Sequence, residues 1–390
     1  MDHDVDLVQL RAGRLERLQA AMRERNVEVC LLFNEPNIRY ATGASAMPIW
    51  SNTTFVRFAL VPAEGRPILF EHGNSIHRSR LAIENVRPMH AWEFVDNPDG
   101  EAEIWARETI DAARELGVGG DAMAVDRLGT PGYLALQRAG LTIVDSGAVT
   151  AAAREVKTPE EIRLLEVNGA IVVEMLSAFE AAIVPGARER DLLAVVSDVL
   201  LRRGGEFLAT STVCSGPNTN PWRAEATDRQ LEPGDLVFVD TDCVGVEGYF
   251  SCVSRTFLFG DGEPTRAQRE TYRAAFDWLE EMKALVRPGI TCGELAATAP
   301  PLAETYIPQR YECMIHGIGL EEESPSVGYP SDPQPNPDRV LREGMALVVE
   351  LYAGEVGDDH GVKLGDQVVL TADGVRVLAP YPFDEGLLGR

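Results

Sequence analysis

The chain has 390 residues, 45% hydrophobic and 25% charged, which is the composition of a globular protein with a large core and long enough for two domains. Its 61 acidic and 36 basic residues give a formal net charge of −25, so we expect neither nucleic-acid nor membrane partners, whose phosphates such a charge repels. The absence of a signal-peptide pattern and of a CxxC pair among the six cysteines predicts a cytoplasmic protein.

Strand-like and helix-like segments alternate up to about residue 150. Runs rich in Val, Leu, Ile and Phe predict strands, and runs with helical periodicity predict helices. The predicted strands span residues 27–33, 57–63, 66–72 and 122–126, and the predicted helices span residues 102–117 and 130–140. This alternation predicts an α/β domain over residues 1–155.

A helix start follows at Thr158. Its hydroxyl can cap the helix, Pro159 suits the first turn, and Glu160 and Glu161 face the positive end of the helix dipole. Beyond it, a long helix, a Pro-Gly stop, a second helix and a pair of strands occur twice in the same order. Residues 156–390 are therefore predicted to form a pseudo-symmetric α+β domain with its site between the two halves.

Polar residues interrupt the apolar strands of this second domain. Asp240 and Asp242 occur in "VFVDTDCV", His316 in "MIHGIGL", Glu350 in "ALVVELYAG" and Asp366 in "VKLGDQVVL". A buried carboxylate without a partner costs several kcal/mol, so each needs a cation, a hydrogen-bond donor or a metal. On a regular strand Asp240 and Asp242 would face the same side. We therefore predict one shared site.

The order and spacing of several motifs resemble the creatinase/aminopeptidase superfamily, which has the pita-bread fold, and within it the bacterial dimethylsulfoniopropionate lyases. The resemblance covers nearly the whole chain. The matching stretches are "NEPNIRYATG", "VKTPEEI", "GGEFLATSTVCSGPNTNPW", "DLVFVDTDCVGVEGYFSCVSRTF", "MIHGIGLEEESPSVGYP", "LREGMALVVE", "VKLGDQVVL" and "YPFDEG". It implies an N-terminal creatinase-like α/β domain, a C-terminal pita-bread domain and a homodimer.

The resemblance also implies which residues would bind metal. The family's ligands match Asp240, Asp242, His316 and Glu350. Cys252 stands where the family has an aspartate before "VSRT", and Gly365 stands where the family's "KLEDQ" has its last glutamate. In the resemblance, the family's aspartate and glutamate at these two positions are the residues that hold two ions together. We therefore expect no metal, with one divalent Fe, Zn or Mn ion on the four retained residues, with or without Cys252, as the alternative.

A metal-free site of this kind would work through side-chain acid–base chemistry. His316 is a candidate proton shuttle, and Glu322 and Glu350 are candidate bases. Cys252 is expected to fill a structural role rather than to act as nucleophile or ligand, because the surrounding carboxylates raise the pKa of its thiol.

Further residues are predicted to bind substrate. Tyr311 matches a tyrosine of the lyase pocket, Trp222 can stack on an onium group, and Trp50 and Arg57 lie in the N-terminal domain, where Arg57 can clamp a carboxylate. Asp240, Asp242 and Cys252 are expected to line the same pocket.

The prediction for function is an enzyme that cleaves a C–N bond by hydrolysis, or a C–X bond by elimination, in a small polar or zwitterionic metabolite. Three alternatives remain open. They are a lyase with one metal ion, a metal-dependent aminopeptidase or prolidase, and a non-catalytic binding protein on the same fold.

Overall fold

The computed structural model describes residues 5–49, 54, 56–223 and 225–390. Two compact units are present, one comprising Asp6–Arg154 and the other containing Glu155–Arg390, so the division falls beside the predicted boundary at residue 155. Trp50, a predicted substrate-binding residue, lies outside the described residues.

The unit Asp6–Arg154 is a mixed sheet covered by helices. Its described strands are β1 (Val29–Leu32), β2 (Phe58–Pro62), β3 (Ile68–Glu71), β4 (Val86–Pro88), β5 (Ala122–Val125) and β6 (Thr142–Asp145). Its described helices are α1 (Leu7–Glu24), α2 (Glu35–Thr42), α3 (Ile76–Ser79), α4 (Pro98–Glu115), α5 (Thr130–Arg138) and α6 (Gly147–Arg154). The strand order is β4-β3-β2-β1-β5-β6. Strand β1 pairs antiparallel with β2 and parallel with β5.

All six elements predicted in this region are present. Their apolar runs supply the buried side chains of the core. Phe58 stacks on Phe70 with ring centroids 4.4 Å apart, and Trp92 meets Trp105 edge-on at 4.6 Å. These aromatic side chains are buried between the sheet and α4. Burial of such rings is the main source of stability in a domain of this size.

The unit Glu155–Arg390 contains five described α-helices and a large antiparallel sheet. The helices are α7 (Pro159–Ala181), α8 (Glu189–Arg202), α9 (Arg266–Leu285), α10 (Cys292–Thr298) and α11 (Glu385–Leu388). Helix α7 begins with the predicted cap: Thr158 Oγ1 accepts from the amide of Glu161, whose carboxylate accepts from the amide of Thr158. No helix within the described ranges is long and apolar enough to cross a bilayer.

The strands of this unit form two sheets. They are β7 (Phe207–Leu208), β8 (Val213–Ser215), β9 (Leu236–Asp240), β10 (Cys243–Val244), β11 (Phe250–Ser251), β12 (Ser254–Leu258), β13 (Ile315–Ile318), β14 (Glu322–Val327), β15 (Ala346–Gly354), β16 (Gly361–Thr371) and β17 (Gly374–Val377). The large sheet has the order β14-β13-β15-β16-β12-β9-β8, with β17 also paired to β16. The small sheet has the order β11-β10-β7. The predicted α/β domain followed by an α+β domain is confirmed.

Strand register brings four site positions into one row across the large sheet. Asp240 of β9 pairs with Ser254 of β12, Ser254 pairs with Gly365 of β16, and Gly365 pairs with Glu350 of β15. Paired residues on neighbouring strands direct their side chains to the same face of a sheet. Residues more than 100 positions apart in the chain therefore line one surface.

One detail of the predicted geometry is wrong. Strand β9 ends at Asp240, and Asp242 lies in the connection to β10 rather than on the same strand. The two carboxylates nevertheless stay together, because the connection turns Asp242 back toward Cys252, which lies between β11 and β12.

Candidate active site

The carboxylate of Asp240 lies at one end of the row. It is 5% exposed, and its Oδ1 accepts hydrogen bonds from Ser254 Oγ at 2.9 Å and from the thiol of Cys252 at 3.6 Å. Thr210 donates to Asp242 Oδ2 at 3.1 Å. Burial raises the pKa of both aspartates, and the charge of Asp240 helps to raise the pKa of Asp242 to about 8.

Glu350 lies at the other end of the row and is fully buried. One of its oxygens contacts Lys363 Nζ, and the other lies 3.3 Å from His316 Nε2. Burial by itself would raise the pKa of Glu350, but the charge of Lys363 and the neighbouring imidazole lower it below its usual range. Glu350 is therefore an ionised carboxylate held between two cationic side chains.

His316 on β13 is oriented through both ring nitrogens. Nδ1 faces the carbonyl oxygen of Gly317 at 3.0 Å, and Nε2 faces Glu350 at an ion-pair distance, although the two groups are not aligned for a straight hydrogen bond. Burial lowers the pKa of His316, but Glu350 raises it by more, to about 9. At neutral pH the ring is thus a proton donor, whereas the unperturbed value of about 6.5 predicted from sequence would leave it mostly neutral.

Lys363, which is not among the residues predicted from the sequence, is the central cation of the site. Its side chain is fully buried, contacts Glu350, and lies 3.7 Å from Asp240 Oδ2. Burial lowers the pKa of Lys363, but the charges of Glu350 and Asp240 raise it above its ordinary value. A lysine inside the apolar run "GVKLGDQVVL", two residues from Gly365 and so on the same face of the strand, was the available signal.

Trp222, which was predicted to stack on a substrate onium group, and Tyr311, which was predicted to bind substrate, both contact this lysine. Lys363 Nζ lies 3.7 Å from the ring centroid of Tyr311 and 5.1 Å from that of Trp222. The two rings are themselves 5.1 Å apart, and Trp222 also stacks on Tyr352. The ring faces that meet Lys363 are therefore occupied by the protein's own ammonium group.

A cavity of about 460 Å³ opens beside His316. Its wall includes Tyr311, Cys313, His316 and Glu322. Of the other predicted site residues that the structure describes, the wall of this cavity does not include Asp240, Asp242, Cys252, Glu350 or Trp222. Glu322 is exposed at the start of β14, so a bound molecule can reach its carboxylate.

Cys252 is 2% exposed. Burial raises the pKa of its thiol well above 9.0, and the charges of Asp242 and Asp240 raise it further. A thiol in this state is a poor nucleophile, since the thiolate is the reactive species. The rise in the pKa of the Cys252 thiol that the sequence predicts from the nearby carboxylates is present. The role of Cys252 stays a prediction.

Asp366 belongs to the opposite face of β16 and forms a structural ion pair. Its carboxylate accepts from Arg255 at 2.7 Å and from Lys283 at 2.6 Å, and all three side chains are largely buried. These two cations account for the buried carboxylate of Asp366, so no metal ion is needed to explain it.

Arg57 lies in the other unit, where it is 1% exposed. Its guanidinium pairs with Glu35 at 2.8 Å and with Glu71 at 3.1 Å. These internal partners account for the burial of its charge, and the predicted carboxylate clamp stays a prediction.

Two overlapping groups of side chains could hold a metal ion. Cys252, His316 and Glu350 form one, Asp240, Asp242 and Cys252 form the other, and within each group the ligand atoms lie within 4.8 Å of one another. Three features oppose a carboxylate-bridged pair of ions: Lys363 lies against Glu350 and Asp240, Gly365 has no side chain, and Cys252 offers a thiol in place of a carboxylate. The residues present do not fit such a pair.

Comparisons with known proteins place the chain in a family. A model of the creatinase/prolidase N-terminal domain matches residues 14–156, and the model of metallopeptidase family M24 matches residues 163–372, more than half of the chain. The chain belongs to metallopeptidase family M24. The resemblance predicted from the motifs is confirmed.

Relatives within this family have different named activities. The dimethylsulfoniopropionate lyase DddP of Roseovarius nubinhibens is 32% identical, with 99% of this chain and 89% of the relative covered. The Xaa-Pro dipeptidase of Pyrococcus furiosus is 30% identical over 58% of this chain and 63% of the relative. The solved prolidase of Pyrococcus horikoshii superposes with a TM-score of 0.75 at 22% identity, covering 95% of this chain and 99% of that one. The last likeness concerns the fold alone.

Proposed function

We propose that this M24 family member is an enzyme that cleaves a C–N or C–X bond of a small zwitterionic metabolite by acid–base chemistry of its side chains, without a pair of metal ions. The observation that carries this proposal is that the imidazole of His316 and the exposed carboxylate of Glu322 line the same cavity. Both reactions require a proton acceptor, hydrolysis also requires a proton donor, and this cavity supplies both.

Glu322 is the base in both reactions, and His316 is the acid where the departing group needs a proton. In elimination, Glu322 takes a proton from a carbon, the electron pair forms a double bond, the C–X bond breaks and X leaves with the electrons. In hydrolysis, Glu322 takes a proton from water, the oxygen attacks carbon, and His316 protonates the departing nitrogen. Glu350 and Lys363 would orient His316 from behind rather than contact the substrate.

The charge of the cavity supports a substrate with a cationic group. Glu312 and Glu322 are exposed acids in its wall, whereas Glu323 and Asp332 are paired with Lys157 and Arg310. A cationic end against the exposed acids agrees with the full-length similarity to a lyase whose named substrate, dimethylsulfoniopropionate, combines a sulfonium with a carboxylate.

The experiment is a screen of onium acids, betaines and guanidino acids with the purified protein, followed by product analysis in H₂¹⁸O. Hydrolysis places ¹⁸O in the product, and elimination gives an unsaturated product without it. Glu322→Gln should lower kcat by about 10²–10⁴-fold, as expected for loss of a general base. Glu312→Gln is the matched control, because it removes an exposed carboxylate of the same wall, and we expect it to change KM more than kcat.

Metal content separates this proposal from the metal-dependent alternatives. We expect fewer than two tightly bound ions per chain and an activity that survives extensive chelation. Two ions per chain, or an activity that chelation abolishes and a divalent ion restores, would show that the metal-independent reaction is wrong. Full activity of Glu322→Gln would remove the proposed base.

A further inference from the structure

The environment of Lys363 is that of a metal ion rather than of a surface lysine. Its Nζ atom lies against Glu350 Oε2 and 3.7 Å from Asp240 Oδ2, and its side chain has no exposure to solvent. Both carboxylates are also buried, at 0% and 5% exposure. Buried carboxylates require a compensating cation, and here the chain supplies it covalently.

Two aromatic rings complete this environment. The centroids of Tyr311 and Trp222 lie 3.7 Å and 5.1 Å from Nζ. Their faces attract a cation and exclude water, so they strengthen the interaction of the ammonium with Glu350 and Asp240. Tyr311 also lines the cavity, whereas Lys363 does not.

The family's run "KLEDQ" also contains a lysine, but a glutamate follows it two positions later, where this chain has Gly365. Lys363 and Gly365 are two residues apart on β16 and share a face. A glutamate at 365 would offer the ammonium a further carboxylate and the site a further ligand, whereas glycine offers neither. A Cβ at this position would lie only 3.1 Å from Glu350 Cβ and 3.3 Å from Ser254 Oγ, so a side chain here would require these neighbours to shift by a few tenths of an ångström.

We propose that the Lys363 ammonium is the resident cation of this site, occupying the place from which one divalent ion would have to bind Asp240 and Glu350 together. The inference extends the proposed metal-independent function by naming the group that replaces the ion. Lys363 acts as a positioning residue: it fixes Glu350, which in turn faces His316.

The test is metal affinity rather than activity. Wild-type protein, Lys363→Met and Lys363→Arg are stripped with chelator, then titrated with Mn²⁺, Co²⁺ and Zn²⁺ and analysed for bound metal. Lys363→Met removes the charge at nearly constant volume and should bind one ion per chain, with a Kd lower than that of the wild type by about tenfold or more. Lys363→Arg keeps the charge and should bind no better than the wild type. A Co²⁺–thiolate absorption band in Lys363→Met would report ligation by Cys252.

Lys283→Met is the matched control. Lys283 is also a buried lysine on a carboxylate of β16, but its partner Asp366 lies on the other face. Its removal should destabilise the protein without creating an ion site. An unchanged affinity in Lys363→Met, or an equal gain in Lys283→Met, would overturn the inference.

Folding of the variant is itself informative. If Lys363→Met is unfolded after chelation, at least one of the three ions should restore its cooperative thermal transition. Failure of all three to restore it would contradict the exchange of ammonium for metal. These outcomes are independent of the cavity variants Glu322→Gln and Glu312→Gln, so either proposal can fail while the other stands.

Discussion

At the scale of single residues, the cysteines show how the surroundings decide reactivity. Cys252 lies beside two carboxylates and is nearly inaccessible, whereas Cys313 lines the cavity and is partly exposed. The pKa of Cys313 is also raised, to about 12, by burial and by Glu350. Neither environment resembles that of a catalytic thiolate, which needs a nearby cation without competing acids.

We therefore expect thiol reagents to react first with Cys313 and to leave Cys252 untouched in the folded protein. Limited treatment with iodoacetamide followed by peptide mass spectrometry measures both sites in one sample. In denaturant the two cysteines should react equally fast, which serves as the control. Preferential labelling of Cys252 in the native protein would show an activated thiol.

At the scale of elements, strand β16 carries a separate network of charged side chains on each of its two faces. One face carries Lys363 toward Glu350 and Asp240, and the opposite face carries Asp366 toward Arg255 and Lys283. Alternation along the strand keeps the two networks apart. The first borders the cavity through His316, and the second ties β16 to β12 and α9.

Asp366→Asn should destabilise the protein by about 3–5 kcal/mol, because it leaves the buried Arg255 without its carboxylate and Lys283 with Glu280 alone. Urea unfolding of wild type and variant at neutral pH measures the difference. Burial raises the pKa of Asp366, but Arg255 and Lys283 lower it by more, below its usual range. The pairing therefore stabilises the fold above the unfolded-state pKa of about 3.9 and is lost as the pH falls through the lower folded-state pKa.

The destabilisation by Asp366→Asn should accordingly shrink in acid. Glu294→Gln is a suitable control, since Glu294 is a carboxylate at the N-terminus of α10 rather than part of a buried ion pair. A loss of unfolding free energy in Asp366→Asn that is small at neutral pH, or that grows as the pH falls, would contradict a stabilising ion pair.

At the scale of the whole molecule, the net charge of −25 governs long-range interactions. We expect no binding of duplex DNA or of vesicles containing anionic lipid, even at low salt, where attraction to phosphate would be strongest. Fluorescence anisotropy with labelled DNA and vesicle sedimentation check this. Binding that weakens with added salt would reveal a basic surface that the overall charge conceals.

How far sequence alone reaches can be judged from particular residues. The strands at residues 57–63 and 66–72 and the cap at Thr158 follow from local patterns, since each depends on neighbours within a few positions. The approach of Asp240, His316 and Glu350 was also predictable, because buried polar groups in apolar strands need partners. The turn that carries Asp242 off β9 was not, since nothing local distinguishes the last residue of that strand.

The sequence by itself determined the family, the succession of two domains, and the identities of the polar groups that had to meet. Only the tertiary structure decided which partner each of these polar groups contacts. Register between β15 and β16 sets Glu350 opposite Gly365 and lets Lys363 reach Glu350, while Asp366 turns to Arg255. The physical reason is that a strand's composition limits which side chains can be buried, whereas the partner of each buried charge depends on pairing between segments far apart in the chain.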